Sequence, residues 1–154
     1  MSQSVEISIA KEEDIPALCT LLELLFSQEL EFSPNIEAQR KGLHSIIHNP
    51  HVGFILVGKV NGRAAGMVNI LFTISTALGE RVAILEDMVV STSSRSSGIG
   101  AALIEQAIAE ARNRGCKRIT LLADALNEAA HRFYQRHGFV KSTMIPLRLS
   151  LMDE

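Results

Sequence analysis

Residues 84–101 read ILEDMVVSTSSRSSGIGA, and the rest of the chain is organised around them. The stretch begins as an apolar run with several β-branched side chains, which favours a β-strand. At Ser91 it becomes a loop rich in hydroxyl groups and glycine, and the loop leads directly into a helical pattern of apolar residues. Because glycine leaves backbone N–H groups accessible and a helix N-terminus attracts anions, the stretch predicts a phosphate-binding loop between a strand and a helix.

Composition limits the classes of protein that the sequence fits. The chain has 154 residues, of which 47% are hydrophobic and 21% charged, and this predicts a single globular domain over residues 1–154. Lys and Arg total 15 against 17 Asp and Glu, so no excess of positive charge favours binding to nucleic acid or to a membrane surface. No apolar run reaches the roughly 18 residues of a transmembrane helix, and the N-terminus lacks a signal-peptide pattern. We therefore expect a cytoplasmic protein.

Hydrophobic periodicity and turn signals predict the element order β-α-α-β-β-β-α-β-α-β and leave one further short strand open. Asn61-Gly62 lies between two apolar runs and is a strong β-hairpin signal. Residues 84–123 form a β-α-β unit, whose two strands should be parallel. Residues 139–141 and 144–152 are expected to complete the sheet. The predicted fold class is α/β of the α+β type, with a mixed, mostly antiparallel central sheet of 6–7 strands and helices on both faces.

A glycine loop after a strand also occurs in dinucleotide-binding domains. Asp124 follows the next strand, roughly where such a domain places the acid that binds a ribose. However, Leu103 stands at the position of the third glycine in that fingerprint, and the sequence has one β-α-β unit where such a domain has several. A dinucleotide-binding module is therefore the less favoured alternative.

Two motifs, in this order along the chain, fit another class of phosphate-binding protein better than a dinucleotide-binding domain. The first is Arg95-x-x-Gly98-x-Gly100, and the second is Asn127-x-x-Ala130-x-x-Phe133-Tyr134-x-x-x-Gly138-Phe139. Together with the element order, they resemble the GNAT superfamily of acetyl-CoA-dependent N-acetyltransferases over nearly the whole chain. The resemblance implies the GNAT fold and an acyltransferase that moves an acetyl group from acetyl-CoA to a primary amine, by direct attack through a tetrahedral intermediate. A non-catalytic acetyl-CoA sensor of the same fold is the alternative.

The resemblance also implies how the cofactor binds. Loop amides hold the CoA pyrophosphate, the strand before the loop pairs with the pantetheine amides, and an arginine contacts phosphate. The implied cofactor-binding residues are Met88, Val89, Val90, Arg95, Ser96, Ser97, Gly98, Ile99, Gly100, Ala101, Asn127 and Tyr134. A solvated surface arginine is the alternative for Arg95, and a helix cap is the alternative for Asn127.

Two residues are candidates for the proton transfers of amine acetylation. Tyr134, the single tyrosine of the chain, matches the family's general-acid position, and the alternative is a core aromatic residue beside Phe133. Glu86 lies in the apolar strand and is the candidate base, acting through water. Strand alternation directs Asp87 to the opposite face. The alternative for both carboxylates is an ion pair with an arginine or with the ammonium group of the acceptor.

The acceptor is predicted to be a small-molecule or peptide amine. In this family the acceptor site lies between the first two helices and the last strands, and the implied substrate-binding residues are Glu29, Glu31, Phe32 and Asp87. Two acids there suit a cationic amine such as a polyamine, an aminoglycoside or a lysine-like group, although a solvated loop explains them equally well. His44 and His48 are spaced as a metal pair, but no third ligand is evident, so no metal is expected. We also expect a homodimer.

Overall fold

A computed structural model describes residues 4–28, 33–95 and 97–152. The sequence-based candidates Glu29, Glu31, Phe32 and Ser96 lie outside these described residues. The chain divides into two compact units, Met1–Leu122 and Ala123–Glu154. No helix of the described ranges is long and apolar enough to cross a membrane.

The described part of the first unit contains one β-sheet and three α-helices. Its elements are β1 (Val5–Ile9), α1 (Ile15–Gln28), α2 (Ile36–Ile47), β2 (Gly53–Val60), β3 (Arg63–Ser75), β4 (Glu80–Val90), α3 (Ile99–Asn113) and β5 (Ile119–Leu121). The strands lie in the order β1-β2-β3-β4-β5. The first three pairings are antiparallel, and β4 and β5 are parallel. The second unit contains α4 (Glu128–Arg136).

The mixed, mostly antiparallel sheet and the parallel β4-α3-β5 unit confirm the predicted fold class. The predicted number of strands is too high, since the described part of the chain forms five. Residues 139–141 and 144–152, expected to complete the sheet, are not strands. Their sequence pattern suits a strand, but a strand also requires a second backbone to receive its hydrogen bonds, and they have none in the described chain.

Local signals set the turns and helix starts. At the predicted hairpin, Asn61 and Gly62 have φ of 53° and 81°, the positive values that a tight type I′ turn requires. Asn35 caps α2, because its side chain accepts a hydrogen bond from the backbone N–H of Ala38 at 3.2 Å.

The core of the first unit contains side chains from α1 and α2 and one face of the sheet. Leu18, Leu43, Val57 and Met67 are among its buried residues. Cys19 belongs to the same cluster and is 1% exposed, so its thiol is buried. Residues next to these in β2 and β3 point to the other face of the sheet, where α3 packs.

A pair of glycines allows α3 to lie close to that second face. Gly58 and Gly66 are directly opposite each other on β2 and β3. A Cβ atom on Gly58 would lie 2.8 Å from Ile99 Cδ1, and one on Gly66 would lie 2.8 Å from Leu103 Cδ1. Because no side chain separates helix and sheet here, the first two turns of α3 are seated directly on the strands. This packing positions the loop that connects β4 to α3.

Candidate functional site

The candidate site begins with an open edge on β4. On one side, β3 pairs with β4 along its length, to Val90. On the other side, β5 pairs only with Ala83 to Leu85. Residues 86–90 therefore have no neighbouring strand on that side within the described chain, and this segment includes the predicted cofactor residues Met88, Val89 and Val90. A ligand with amide groups can pair with such an edge as another strand would.

The loop after β4 ends at an uncapped helix N-terminus. Gly98 is the N-cap residue of α3, with φ of 86°, and no side chain in the described part of the loop caps the helix. The N–H groups of Ile99, Gly100 and Ala101 begin the helix and are not bonded within it. Ser97 Oγ donates a hydrogen bond to the Ser94 carbonyl, which closes the preceding turn. The helix dipole and these N–H groups make the loop suited to bind an anion, and the exposed Arg95 lies in the same loop.

A β-bulge interrupts β4 at its two carboxylates. Asn69 is opposite Asp87, whereas the next residue, Ile70, is opposite Leu85. Glu86 is therefore an extra residue without a partner in β3. Since Asn69 and Ile70 point to opposite faces, Leu85 and Asp87 do as well, although they are two residues apart. Alternation does not hold across a bulge, so the separation of Glu86 and Asp87 onto opposite faces stays a prediction.

The two carboxylates have different surroundings. Glu86 is exposed to solvent. Asp87 is partly buried and accepts a hydrogen bond from Asn69 Nδ2 at 2.9 Å. Burial raises the pKa of Asp87 above its usual value, the hydrogen bond from Asn69 opposes the shift, and the charge of Glu86 adds to it. Asp87 is thus the carboxylate with the environment of a functional acid.

Asp87 and Asn69 line a cavity of about 240 Å³ between the sheet and the first two helices. Its walls include the apolar side chains of Leu22, Phe26 and Leu43. Asn69 is 4% exposed, and its Oδ1 is buried without a hydrogen-bond partner in the part of the chain that the structure describes. A carboxylate of raised pKa and a buried amide therefore lie together in the lining of a largely apolar cavity.

Asn69 is a site residue that the sequence analysis missed. The available signal is a single amide side chain inside the apolar run of β3, since Asn is disfavoured in strands and costly to bury without partners. The bulge that pairs Asn69 with Asp87 gives no comparable signal in the sequence.

The second unit carries the two remaining candidates. Asn127 caps α4, where its Oδ1 accepts a hydrogen bond from the Ala130 N–H at 3.1 Å. Tyr134 lies on the same helix, with its ring centroid 5.2 Å from that of Phe133 and 5.6 Å from that of Phe139. Burial raises the pKa of Tyr134 to about 12. The phenol therefore stays protonated throughout the physiological pH range.

A third potential metal ligand, the carboxylate of Glu12, lies beside His44 and His48. His44 Nδ1 lies 3.3 Å from Glu12 Oε2, and His48 Nε2 contacts the same oxygen. The pKa of Glu12 is lowered, first by the hydrogen bond with His48 and to a lesser extent by His44. The three side chains are exposed, and their ligand atoms lie within 4.8 Å of one another, close enough to hold a metal ion. The prediction that the pair lacks a third ligand is therefore wrong.

Comparison with known proteins places the chain in a family. The family model described as "Acetyltransferase (GNAT) family" matches residues 16–139. An uncharacterised N-acetyltransferase of Bacillus subtilis is 28% identical over 142 residues, which cover 90% of this chain and 92% of the relative. The aminoalkylphosphonate N-acetyltransferase of Salmonella typhimurium is 28% identical over 137 residues, which cover 89% and 86% of the two chains.

Solved structures share the fold at low sequence identity. A possible acetyltransferase from Clostridium difficile aligns with a TM-score of 0.86 and 13% identity over 97% of this chain and 99% of the other. The aminoglycoside N-acetyltransferase AAC(6')-Iy, solved in complex with CoA, aligns with a TM-score of 0.82 and 16% identity over 99% and 98%. At such identities the alignments establish the fold alone, whereas the family model covers most of the sequence. The chain belongs to the acetyltransferase (GNAT) family and is an acetyl-CoA-dependent N-acetyltransferase.

Proposed function

We propose that this protein transfers the acetyl group of acetyl-CoA to the primary amine of its acceptor by direct attack, through a tetrahedral intermediate. The proposal rests on the position of β4. This strand has an open edge over residues 86–90, and the loop after it leads to the uncapped N-terminus of α3. The same strand contributes Asp87 to the lining of the cavity. A donor site and an acceptor site on one strand hold thioester and amine in reacting orientation. Because the family match covers parts of both units, we treat residues 1–154 as a single acetyltransferase domain.

The cofactor follows the open edge into the loop. Pantetheine amides pair with the backbone of β4 as an added strand, the N–H groups at the start of α3 bind the pyrophosphate, and Arg95 adds a charge-assisted contact. A backbone N–H near Val89 is available to stabilise the oxyanion of the tetrahedral intermediate. The proposed cofactor-binding residues are Met88, Val89, Val90, Arg95, Ser96, Ser97, Gly98, Ile99, Gly100, Ala101, Asn127 and Tyr134, the last two on the family pattern alone.

The amine of the acceptor binds at the polar end of the cavity. An alkylammonium group carries three donors, and the Asp87 carboxylate can accept a hydrogen bond from one of them while Asn69 Nδ2 holds the carboxylate in place. The apolar walls, with Leu22 and Phe26 among them, suit an alkyl chain next to that amine.

The two carboxylates then have separate roles. Asp87 holds and orients the amine, and Glu86, which is exposed one residue away, takes up its proton through water. An alkylammonium group has a pKa near ~10, so loss of this proton precedes attack. Because the pKa of Asp87 is raised, its carboxylate is a stronger base than that of an ordinary aspartate. Asp87 is therefore the second candidate for the base.

Tyr134 is proposed to act on the sulfur of CoA. A thiol has a pKa of about 8.5, so full transfer of a proton from a phenol of pKa about 12 to the thiolate is unfavourable by roughly 3.5 units, or about 5 kcal/mol. A hydrogen bond from the phenol to the departing sulfur has no such cost. We therefore infer that Tyr134 stabilises the thiolate as a hydrogen-bond donor, and that solvent supplies the proton.

The size and polarity of the cavity restrict the acceptor. Its volume of about 240 Å³ is slightly below the roughly 300–1,000 Å³ of typical ligand sites, which favours a slender amine or the amine-bearing arm of a larger molecule. Asp87 is the charged residue among its described lining residues. Glu29, Glu31 and Phe32 remain predicted acceptor contacts. A polyamine, an aminoglycoside, a lysine-like amine and, from the name of one relative, an aminoalkylphosphonate form the test panel.

The first experiment measures binding and turnover. Acetyl-CoA should raise the melting temperature of the protein and NAD should not, and release of free thiol should follow when an amine of the panel is added. Stabilisation by NAD alone would refute the proposal in favour of a dinucleotide module. Binding of acetyl-CoA without turnover on any amine would indicate an acetyl-CoA sensor.

The second experiment separates the carboxylates. Asp87→Asn should raise KM for the amine at least about tenfold, which corresponds to ~1.4 kcal/mol, with KM for acetyl-CoA unchanged. Glu86→Gln should lower kcat and leave KM nearly constant. Glu80→Gln, which removes an exposed acid at the start of the same strand, is the control and should change neither. Wild-type kinetics in Asp87→Asn would exclude the proposed amine site while leaving acetyl-CoA binding intact.

A further inference from the structure

Three exposed side chains converge where the start of α1 meets the end of α2. Glu12 belongs to the short helical turn before α1, and His44 and His48 belong to the end of α2. All three lie in the first compact unit of the chain. None of them is among the described residues that line the cavity with Asp87, so the cluster is separate from the proposed acceptor site.

The helix directs both imidazole rings towards the same carboxylate oxygen. Residues four apart are neighbours on one face of an α-helix, and the ring centroids of His44 and His48 lie 4.3 Å apart. His44 Nδ1 lies 3.3 Å from Glu12 Oε2, and His48 Nε2 contacts the same oxygen. The ligand atoms of the three side chains all lie within 4.8 Å of one another. Two nitrogen ligands and one oxygen ligand therefore face a common position.

The spacing of these atoms suits a tetrahedral metal ion. Bonds from zinc to nitrogen and oxygen are about 2.0–2.2 Å long, and at the tetrahedral angle they place two ligand atoms roughly 3.3–3.5 Å apart. The separation of 3.3 Å between His44 Nδ1 and Glu12 Oε2 falls in this range. Because all three side chains are exposed, small rotations about their side-chain bonds are enough to bring the remaining atoms to bonding distance.

The chemistry of the three ligands selects the class of metal. Imidazole nitrogen suits Zn²⁺, Ni²⁺ and Cu²⁺, whereas Mg²⁺ and Ca²⁺ prefer oxygen ligands. Histidines at positions i and i+4 of one helix form the metal-binding pair of known zinc sites. Two histidines with one glutamate are also a ligand set with which proteins hold zinc while a fourth position stays open to water. The exposure of the cluster gives water and ions direct access to that position.

We propose that Glu12, His44 and His48 bind a divalent transition-metal ion of the Zn²⁺ type, with water completing the coordination. The ion connects the turn before α1 to the end of α2, although Glu12 and His44 are 32 residues apart in the chain. Its role is structural, because α2 also contributes Gly42 and Leu43 to the lining of the cavity, and the ion restrains this helix at its C-terminal end. The proposal does not depend on the proposed acetyl transfer.

Calorimetric titration of the untagged full-length protein with zinc chloride, after treatment with a chelator, is the first test. One Zn²⁺ ion per chain should bind, and magnesium chloride at the same concentration should give no binding heat. Zn²⁺ at about 100 times its Kd should raise the melting temperature by roughly 5–10 °C, and a chelator should reverse the increase. Absence of saturable zinc binding would overturn the proposal, as would equal binding of Mg²⁺.

Matched variants show whether the ion binds at this cluster. Loss of a group that only supports a metal ligand weakens metal binding about 10–100-fold, so Glu12→Gln and His48→Ala should each weaken zinc binding at least about tenfold. Glu13→Gln and His51→Ala change exposed residues of the same types nearby and should bind zinc as the wild type does. Circular dichroism verifies that all four variants are folded. Wild-type affinity in both Glu12→Gln and His48→Ala would overturn the proposal, because the ion would then bind elsewhere.

Hydrogen exchange tests the connection between the two segments. At the end of α2 the His48 N–H donates a hydrogen bond to the His44 carbonyl at 3.0 Å, and helix ends of this kind open readily. Zn²⁺ should slow the exchange of amides in residues 12–14 and 44–48 of the wild-type protein, and it should have no such effect in Glu12→Gln. Protection by Zn²⁺ confined to other segments would overturn the proposal.

Discussion

Tyr134 should ionise at a pH about two units higher than an exposed tyrosine does. Burial raises its pKa from 10.0 to about 12, and one unit corresponds to about 1.4 kcal/mol, so burial disfavours the phenolate by roughly 3 kcal/mol. The native state then binds more protons than the unfolded state between about pH 10 and pH 12. The free energy of unfolding should therefore fall by about this amount as the pH rises through that window. Below about pH 10 this group leaves stability unchanged.

The chain allows a direct measurement, because it has one tyrosine and no tryptophan. Absorbance near 295 nm reports the tyrosinate, and far-UV circular dichroism at each pH shows that the protein is still folded. The unfolded protein in concentrated urea is the control and should titrate near ~10. A midpoint near 10 in folded protein would refute the burial of Tyr134. It would also weaken the assignment of Tyr134 as a hydrogen-bond donor, because the argument about proton transfer depends on the raised pKa.

Three further predictions concern stability. Gly66→Ala should destabilise the protein by about 1–3 kcal/mol, because the new Cβ would contact a side chain of α3. Gly42→Ala should stabilise α2 by about 0.5–1 kcal/mol, because no atom lies near the position of its Cβ. Urea denaturation measures the free energy of unfolding of both variants. Asn127→Ala should cost about 1 kcal/mol through the lost cap, and Asn127→Ser should recover most of it. Glu12→Gln should lower the melting temperature at about pH 5.5 but not at about pH 3. The lowered pKa of the Glu12 carboxyl stabilises the folded protein above the unfolded value of 4.5, and this stabilisation is lost as the pH falls. Equal decreases in melting temperature at both pH values would contradict the ion pair with His48.

Features set by short-range chemistry were predictable from the sequence. The hairpin at Asn61-Gly62 follows from the positive φ that these two residues tolerate, and the start of α3 follows from Gly98 after a run of hydroxyl residues. The parallel pairing of β4 and β5 follows from the helix between them. Each of these signals lies within a few residues of the feature that it produces, and each is confirmed.

Features that depend on a distant partner were not predictable. The amide of Asn69 was not recognised because its partner, Asp87, lies on another strand and meets it only through the pairing register. Glu12 completes the histidine cluster from a separate turn of the chain. Residues 144–152 show the same limit: their alternation predicts a strand, but periodicity carries no information about a partner backbone, and the segment is not a strand.

The bulge at Glu86 affects both the packing of the sheet and the proposed reaction. With unbroken alternation, Leu85 and Asp87 would share a face, so that either a leucine would be lost from the packing beside Ile70 or a carboxylate would be buried there without a partner. One extra residue resolves this conflict, because it leaves Leu85 opposite Ile70 and turns Asp87 towards Asn69 and the cavity. Pairing with β5 ends at Leu85, immediately before the same extra residue. The insertion therefore coincides with both requirements of the proposed reaction, an open edge for the cofactor and a carboxylate directed at the amine.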